Sequence, residues 1–336
     1  EIYARATGHE RARFRGIAPP RICIVGVKMK RRDQSRHGTG IRLQHGAISP
    51  ANCRPSRWGS FRFCRFVFLA WIILAATAAV LRGAEHAASL TIGETFAIES
   101  KAVGETRRIN VYLPPGYAES SEIQFPVLYM PDGGMAEDFL HVAGLVQVSV
   151  GNGTMRPFIL VGIENTERRR DMTGPTDNAE DKKIAPRVGG SEAFRKFVRA
   201  ELMPEIKARY RTTEETAIVG ESLAGLFVVE ALLLEPDLFD TYIAFDPSLW
   251  WNNEHLLEIA PEQLGKTAQS APKTLYVATS SDAAELGQRF ADILKESAPV
   301  RLAWHRESLP EEKHSTIYHP AAMRAFRTVF KPAEPK

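Results

Sequence analysis

Ser222 stands in Val219-Gly220-Glu221-Ser222-Leu223-Ala224-Gly225. A short β-prone apolar run, Thr216 to Val219, precedes it, and a long apolar run, Leu226 to Leu234, follows. This is the pattern of a serine on a sharp turn between a buried strand and a helix. Gly220 and the small residues at 224 and 225 let the backbone bend tightly and the helix pack close beneath. A hydroxyl is a weak nucleophile at neutral pH and needs a base within hydrogen-bond reach, itself oriented by an acid. A helix N-terminus beside it favours the negative charge that acyl transfer develops. The chemistry these residue types support is nucleophilic acyl transfer.

In a strand-turn-helix architecture of this kind the partners follow in the order serine, acid, histidine. His314, in the polar loop Pro310-Glu311-Glu312-Lys313-His314-Ser315, falls after the strand ending at Trp304 and before the last helix, where the base belongs. His255, His305 and His319 are the competitors; His305 falls at a strand end and His319 stands before Pro320. The acid is expected after the strand Leu275 to Ala278, and Asp282 in Thr279-Ser280-Ser281-Asp282-Ala283-Ala284-Glu285 is the choice. Asp282 is also placed to cap the helix beginning at Ala283, which leaves Glu285 as the alternative. The expected oxyanion donors are the amide of Leu223 and one from Asp132-Gly133-Gly134, either Gly133 or Gly134. Trp250 and Trp251, after a strand end, are candidate walls of the substrate cleft, with buried packing the alternative. Arg170, in the run Arg168-Arg169-Arg170-Asp171, is the candidate contact to an anionic or polyphenolic substrate, against the ordinary reading of a solvated charge run.

The elements that must hold these residues alternate. Candidate strands are Leu90 to Ser100, Arg107 to Leu113, Pro126 to Met130, Phe158 to Ile163, Tyr242 to Phe245, Lys273 to Thr279 and Val300 to Trp304. Helical stretches fall at Phe139 to Val150, Ser191 to Tyr210 with Pro204 inside, Ala283 to Lys295 and Ala321 to Phe330. The spacing predicts an α/β fold: a mostly parallel sheet covered on both faces, with an antiparallel N-terminal opening. The polar segment from Asn165 to Gly190 is too long for a simple connection and reads as a functional loop.

The chain of 336 residues, 44% hydrophobic, is long enough for one large core, and its net charge of +3 conceals a split. Residues 1 to 65 carry 15 Lys and Arg against 3 acidic residues, so the remainder is acidic, with 28 against 37. The basic arm carries no aromatic-basic module, which argues against nucleic acid as a partner. Cys23, Cys53 and Cys64 all lie in that arm without metal-ligand spacing. The rest of the chain has no cysteine nucleophile, no disulfide framework and no Cys-based zinc site. Residues 1–56, which begin on Glu1 and mix Arg, Gly, Pro and Ser without apolar periodicity, read as a disordered or non-native N-terminal extension. Residues 57–84 read as a signal peptide: arginines, an apolar run from Phe66 to Leu81, then small residues. The run falls short of the roughly 18–20 residues of a spanning helix, so an N-terminal membrane anchor is the competing reading. The expectation is export to the periplasm or medium, no stable membrane association after cleavage, and a catalytic domain over 85–336.

From about Arg107 to Phe330 the chain resembles the esterase D and enterochelin (siderophore) esterase-like group of α/β-hydrolases. The resemblance rests on Phe125-Pro126-Val127-Leu128-Tyr129 with Asp132-Gly133, Val161-Gly162-Ile163 with Arg170-Asp171, Gly220-Glu221-Ser222-Leu223-Ala224-Gly225-Leu226, Asp246-Pro247-Ser248-Leu249-Trp250-Trp251, and His314-Ser315. It implies a metal-free, cofactor-free serine hydrolase of carboxylic esters, with Ser222 as nucleophile and His314 as base. The implied substrates are small-molecule or glycan esters. An acyltransferase, or a feruloyl or acetyl esterase of polysaccharides, is the alternative on the same fold, and a non-catalytic membrane-tethered binding protein is the further one. The chain departs from the group at Glu221, where histidine is common, at Ala224, where glycine is common, and at Ser280-Ser281-Asp282, where the acid loop is usually glycine-rich.

Overall fold

The computed structural model describes residues 89–267 and 271–333. The extension expected over 1–56 and the leader expected over 57–84 lie outside the described residues. Eight strands form one sheet: β1 (Glu94–Ser100), β2 (Glu105–Tyr112), β3 (Phe125–Pro131), β4 (Ile159–Ile163), β5 (Thr212–Glu221), β6 (Thr241–Phe245), β7 (Lys273–Ser280) and β8 (Leu302–Leu309). Their spatial order is β1-β2-β4-β3-β5-β6-β7-β8. β1–β2 and β2–β4 pair antiparallel, and every pairing from β4 to β8 is parallel. The order reverses around β3, so the strands that carry chemistry at their C-terminal ends lie side by side in the middle of the sheet.

Among the described residues the longer helices are α1 (Phe139–Gly151), α2 (Ser191–Phe197, continuing to Arg209), α3 (Leu223–Leu234), α4 (Trp251–Thr267), α5 (Ala284–Ser297) and α6 (Tyr318–Val329), with short turns at Arg168–Asp171 and Asp181–Lys183. Period-two alternation in the central strands divides the core. Val127 and Tyr129 join Phe194, Phe227, Leu256 and Leu294 on one face. Leu128 and Met130 join Val142, Val146, Ala322 and Phe326 on the other. Helices α2 to α5 therefore cover one face and α1 and α6 the second. β3, β4 and β6 are buried along their whole length, as a parallel sheet covered on both faces requires. Among the described residues no helix is long and apolar enough to cross a membrane.

Three local differences from the sequence expectation have physical causes. The helix holding Pro204 is continuous but not uniform: a wide π turn at Val198–Leu202 opens the hydrogen-bond ladder just before the proline, and the backbone stays helical to Arg209. The last strand runs to Leu309 rather than stopping at Trp304, because it pairs with β7 along its whole length and, as an edge strand, carries the polar run His305 to Ser308 that an apolar pattern does not reveal. Helix α4 has no counterpart in the periodic pattern. Its opening residues Asn252, Asn253 and Glu254 are left-handed, with φ of 49, 54 and 64°, and Pro261 interrupts its body, so both signals for a helix are blurred.

Candidate active site

Ser222 sits at the end of β5, one residue before α3, with φ 61° and ψ −120°. A non-glycine residue at positive φ is strained by roughly 1–3 kcal/mol and persists only where its surroundings fix it. Here they do. The Ser222 N–H donates to the Phe245 carbonyl at 3.0 Å, and the Ser222 carbonyl accepts from Leu226 at 2.9 Å and from Ser248 at 3.1 Å. A Cβ on Gly220 would meet the Ala224 backbone at 2.7 Å, and one on Gly225 would meet the Phe245 carbonyl at 2.9 Å, so the turn closes only with glycine at both positions.

His314 Nε2 lies 2.9 Å from Ser222 Oγ, and its Nδ1 lies 3.2 Å from Asp246 Oδ2. The acid on the imidazole is therefore Asp246, at the end of β6, and not Asp282. Asp246 is buried; its Oδ1 accepts from the Ser280 N–H at 2.6 Å and its Oδ2 from the Ser280 hydroxyl at 2.5 Å. The loop after β7, where the sequence placed the acid, instead clamps the histidine loop. Ser281 donates through N–H and hydroxyl to the Glu312 carbonyl, at 3.2 and 2.8 Å. Asp282 accepts from the His314 backbone N–H at 3.0 Å and pairs with Lys313 at 3.2 Å. The peptide N–H holds the Asp282 carboxyl below its ordinary range, with Lys313 adding to the effect. Glu285, the other candidate, is exposed in the first turn of α5. His255 pairs with Glu258, His305 packs against Tyr276, and His319 stacks on His141, so His314 alone of these four contacts Ser222.

The expected oxyanion donors divide. Leu223 is the first residue of α3, and its N–H has no acceptor among the described residues. The Gly133 N–H is already given to the Ile163 carbonyl at 2.9 Å, prolonging the β3–β4 ladder, which removes it as a donor. The Gly134 N–H is held by the Glu137 carboxylate at 2.7 Å. The next amide, that of Met135, has no acceptor among the described residues. Beside this turn opens a cleft of about 510 Å³ lined by Met135, Phe139, Arg108, Asn110 and Glu164.

Arg170, the candidate substrate contact, is engaged by carboxylates of the chain itself. It pairs with Glu105 at 2.7 Å and Asp171 at 2.6 Å in a network around the buried Arg107. Two residues earlier, Arg168 is the arginine of the site: it chelates Asp132 at 2.6 and 2.9 Å, and its Nη2 reaches the Glu221 carbonyl at 3.5 Å. Trp251 is buried and donates its indole N–H to the Gly174 carbonyl at 2.9 Å, while Trp250 is half-buried beside it. Trp251 lines a second cleft, of about 450 Å³, with Arg195, Glu230, Asn252 and Thr176. Among the described residues no group of three or more His, Cys, Asp or Glu side chains is arranged to hold a metal ion.

Residues 100–301 match the family described as "Putative esterase". The chain belongs to this family. It is similar to the "Ferri-bacillibactin esterase BesA" of Bacillus subtilis, 31% identical over 174 residues that cover 46% of this chain and 58% of that protein. It is also similar to the "Siderophore triacetylfusarinine C esterase" of Aspergillus fumigatus, 37% identical over 98 residues, 28% of this chain and 32% of that protein. The chain thus spans no more than 58% of the length of these curated relatives. Among solved structures, an "IroE-like serine hydrolase" from Shewanella oneidensis aligns at 33% identity with TM-score 0.64, covering 71% of this chain and 80% of that one. The architecture is accordingly that of the α/β-hydrolase esterases.

On this esterase scaffold two carboxyl groups, Glu221 and Asp138, are pushed toward their neutral forms. Glu221 is raised to about 7, chiefly by burial, with Asp246 and Asp132 adding and His314 and Arg168 opposing. Asp138 is raised to about 6, again by burial first, with Asp132 and Glu137 repelling its charge and Arg168 opposing. His314 is raised above the ordinary imidazole value because its ring bonds Asp246; burial opposes this, and the charges of Glu221, Asp246 and Asp282 support it.

Proposed function

We propose that the protein hydrolyses carboxylic esters through an acyl-enzyme on Ser222. The single observation that carries this reading is the chain of contacts Ser222 Oγ to His314 Nε2, 2.9 Å, and His314 Nδ1 to Asp246 Oδ2, 3.2 Å. In it His314 takes the serine proton as Oγ attacks the ester carbonyl, and Asp246 stabilises the imidazolium and fixes the tautomer. The oxyanion falls to the Leu223 N–H at the positive end of α3 and to the Met135 N–H of the turn after β3. The imidazolium then passes its proton to the departing alcohol oxygen. Water, deprotonated by the same nitrogen, attacks the acyl carbon, and the carboxylic acid leaves as the serine recovers its proton. We further propose siderophore-type esters as the substrate class, because the named relatives are siderophore esterases, and export of the protein, because residues 57–84 carry the pattern of a leader.

The test is turnover of short p-nitrophenyl esters and of a catecholate trilactone by the full chain beside Ser222→Ala and His314→Ala. Both substitutions are expected to cut kcat by a factor of roughly 10³ or more with the fold intact. Turnover indifferent to Ser222, or none by the parent on either substrate, rejects the mechanism.

A further inference from the structure

Glu221 is unexplained by the three residues above. It immediately precedes the serine, its side chain is 17% exposed, and its Oε1 lies 3.4 Å from His314 Nε2, the nitrogen that must receive the serine proton. Its geometry is fixed by the turn: the Glu221 carbonyl is met by Arg168, whose guanidinium is itself locked on Asp132. The imidazole thus stands between two carboxyl groups, Asp246 at Nδ1 and Glu221 at Nε2.

We infer that Glu221 is a positioning residue that holds the His314 imidazolium at Nε2 while the serine is acylated, an inference that rests on the hydrolase reading above. When the proton leaves Ser222 Oγ for Nε2, the new N–H has two acceptors in reach: the reacting oxygen it came from and the Glu221 carboxylate. The second acceptor stabilises the cation and keeps the ring from turning away before the leaving alcohol takes the proton. No bond to Glu221 is made or broken, and the proton stays on nitrogen until the alcohol oxygen accepts it.

The charges that face Glu221 set the sign of its pH effect. His314 and Arg168 favour its anion; Asp246 and Asp132 oppose it, as burial does, and the buried hydroxyl of Tyr318 feels the same field. Since Glu221 raises His314, removing its charge lets the imidazole stay neutral to lower pH. In a coupled pair of this kind the two protons leave in steps that belong to both groups.

The experiment is the pH profile of kcat and KM for a short p-nitrophenyl ester, for the parent and Glu221→Gln, together with an NMR titration of the His314 ring assigned with His314→Ala. In Glu221→Gln the acid limb of kcat/KM is expected to move to lower pH by about half a unit to one unit. Its plateau kcat is expected to fall by roughly 3- to 30-fold with KM little changed. The NMR titration should show the same downward movement without any turnover. Overlapping profiles and an unmoved His314 titration overturn the proposal. If Glu221→Gln fails to fold, the carboxyl carbon of Glu221 in the parent decides: it should share its inflections with His314, and an independent titration in the ordinary glutamate range overturns the pairing. A parent that turns over no ester rejects the hydrolase reading but leaves the NMR result to judge the contact.

Discussion

Two clusters of charged side chains lie near the C-terminal ends of β3 to β5, and they treat the same residue type in opposite ways. Around the fully buried Arg107, two arginines meet two carboxylates. Arg107 donates to Asp171 at 2.5 Å and to Glu105 at 2.9 Å, and Arg170 binds the same two carboxylates. Glu105 is consequently lowered to about 2, led by its bond to Arg170. Around Ser222 the carboxyls outnumber the cations. Glu221 and Asp138 are raised to about 7 and about 6, with Arg168 the guanidinium shared among them. The first arrangement is what a scaffold does with buried charge: every acid is matched. The second leaves titratable groups poised near neutral pH beside a strained serine, which is the signature of a site held against local stability.

The sharpest way to break the comparison is at the two aspartates that touch His314. Asp246→Asn should lower kcat by roughly 10²- to 10⁴-fold, because the tautomer and the imidazolium lose their support. Asp282→Asn, whose partner is the backbone N–H, should cost less than about tenfold. Equal losses in steady-state assays, or the reverse order, would return the acid role to the loop after β7. Next in size is the scaffold cluster. Arg107→Met leaves the buried Asp171 with Arg170 as its remaining cation and should destabilise by about 3 kcal/mol, read by urea unfolding, while the folded fraction keeps its kcat. A loss of kcat without loss of stability would make this cluster part of the site.

The smallest effect has the clearest sign. Glu105 has a folded value below its reference of 4.5, so it contributes stability above that value and loses it as pH falls toward about 2. Glu221 has a folded value above 4.5, so ionising it costs stability as pH rises through the interval to about 7. Thermal unfolding at pH 8 should therefore show Glu105→Gln less stable than the parent and Glu221→Gln more stable, each by about 1 kcal/mol. Shifts in the same direction would erase the distinction between the clusters.

Much of this was legible before the fold. The turn at Gly220-Glu221-Ser222 and the loop holding His314 are local signals, since a strand-turn-helix junction announces itself through apolar runs and small residues. Within the long segment after Asn165, Arg168 and Arg170 are two positions apart on one short helical turn, and only packing tells which reaches Asp132. Asp246 was in view as the start of the tryptophan block, yet only the tryptophans of that block were given a role. The signal available was a carboxylate directly after the wholly buried strand Thr241–Phe245, a place where a lone charge needs a partner. The oxyanion turn was beyond sequence, because the N–H groups of Gly133 and Gly134 are taken by Ile163 and Glu137, one distant in the chain and the other set by side-chain rotamer, which leaves the amide of Met135.

The most direct measurement is covalent labelling of the full chain with a fluorophosphonate, followed by intact mass and peptide mapping, in the parent, His314→Ala, Asp246→Asn and Asp282→Asn. One adduct on Ser222 is expected, absent or slowed by roughly 10³ in His314→Ala, strongly slowed in Asp246→Asn and nearly as fast as the parent in Asp282→Asn. An adduct elsewhere, or a Ser222 adduct whose rate ignores His314 and Asp246, contradicts the activation of this serine by that pair.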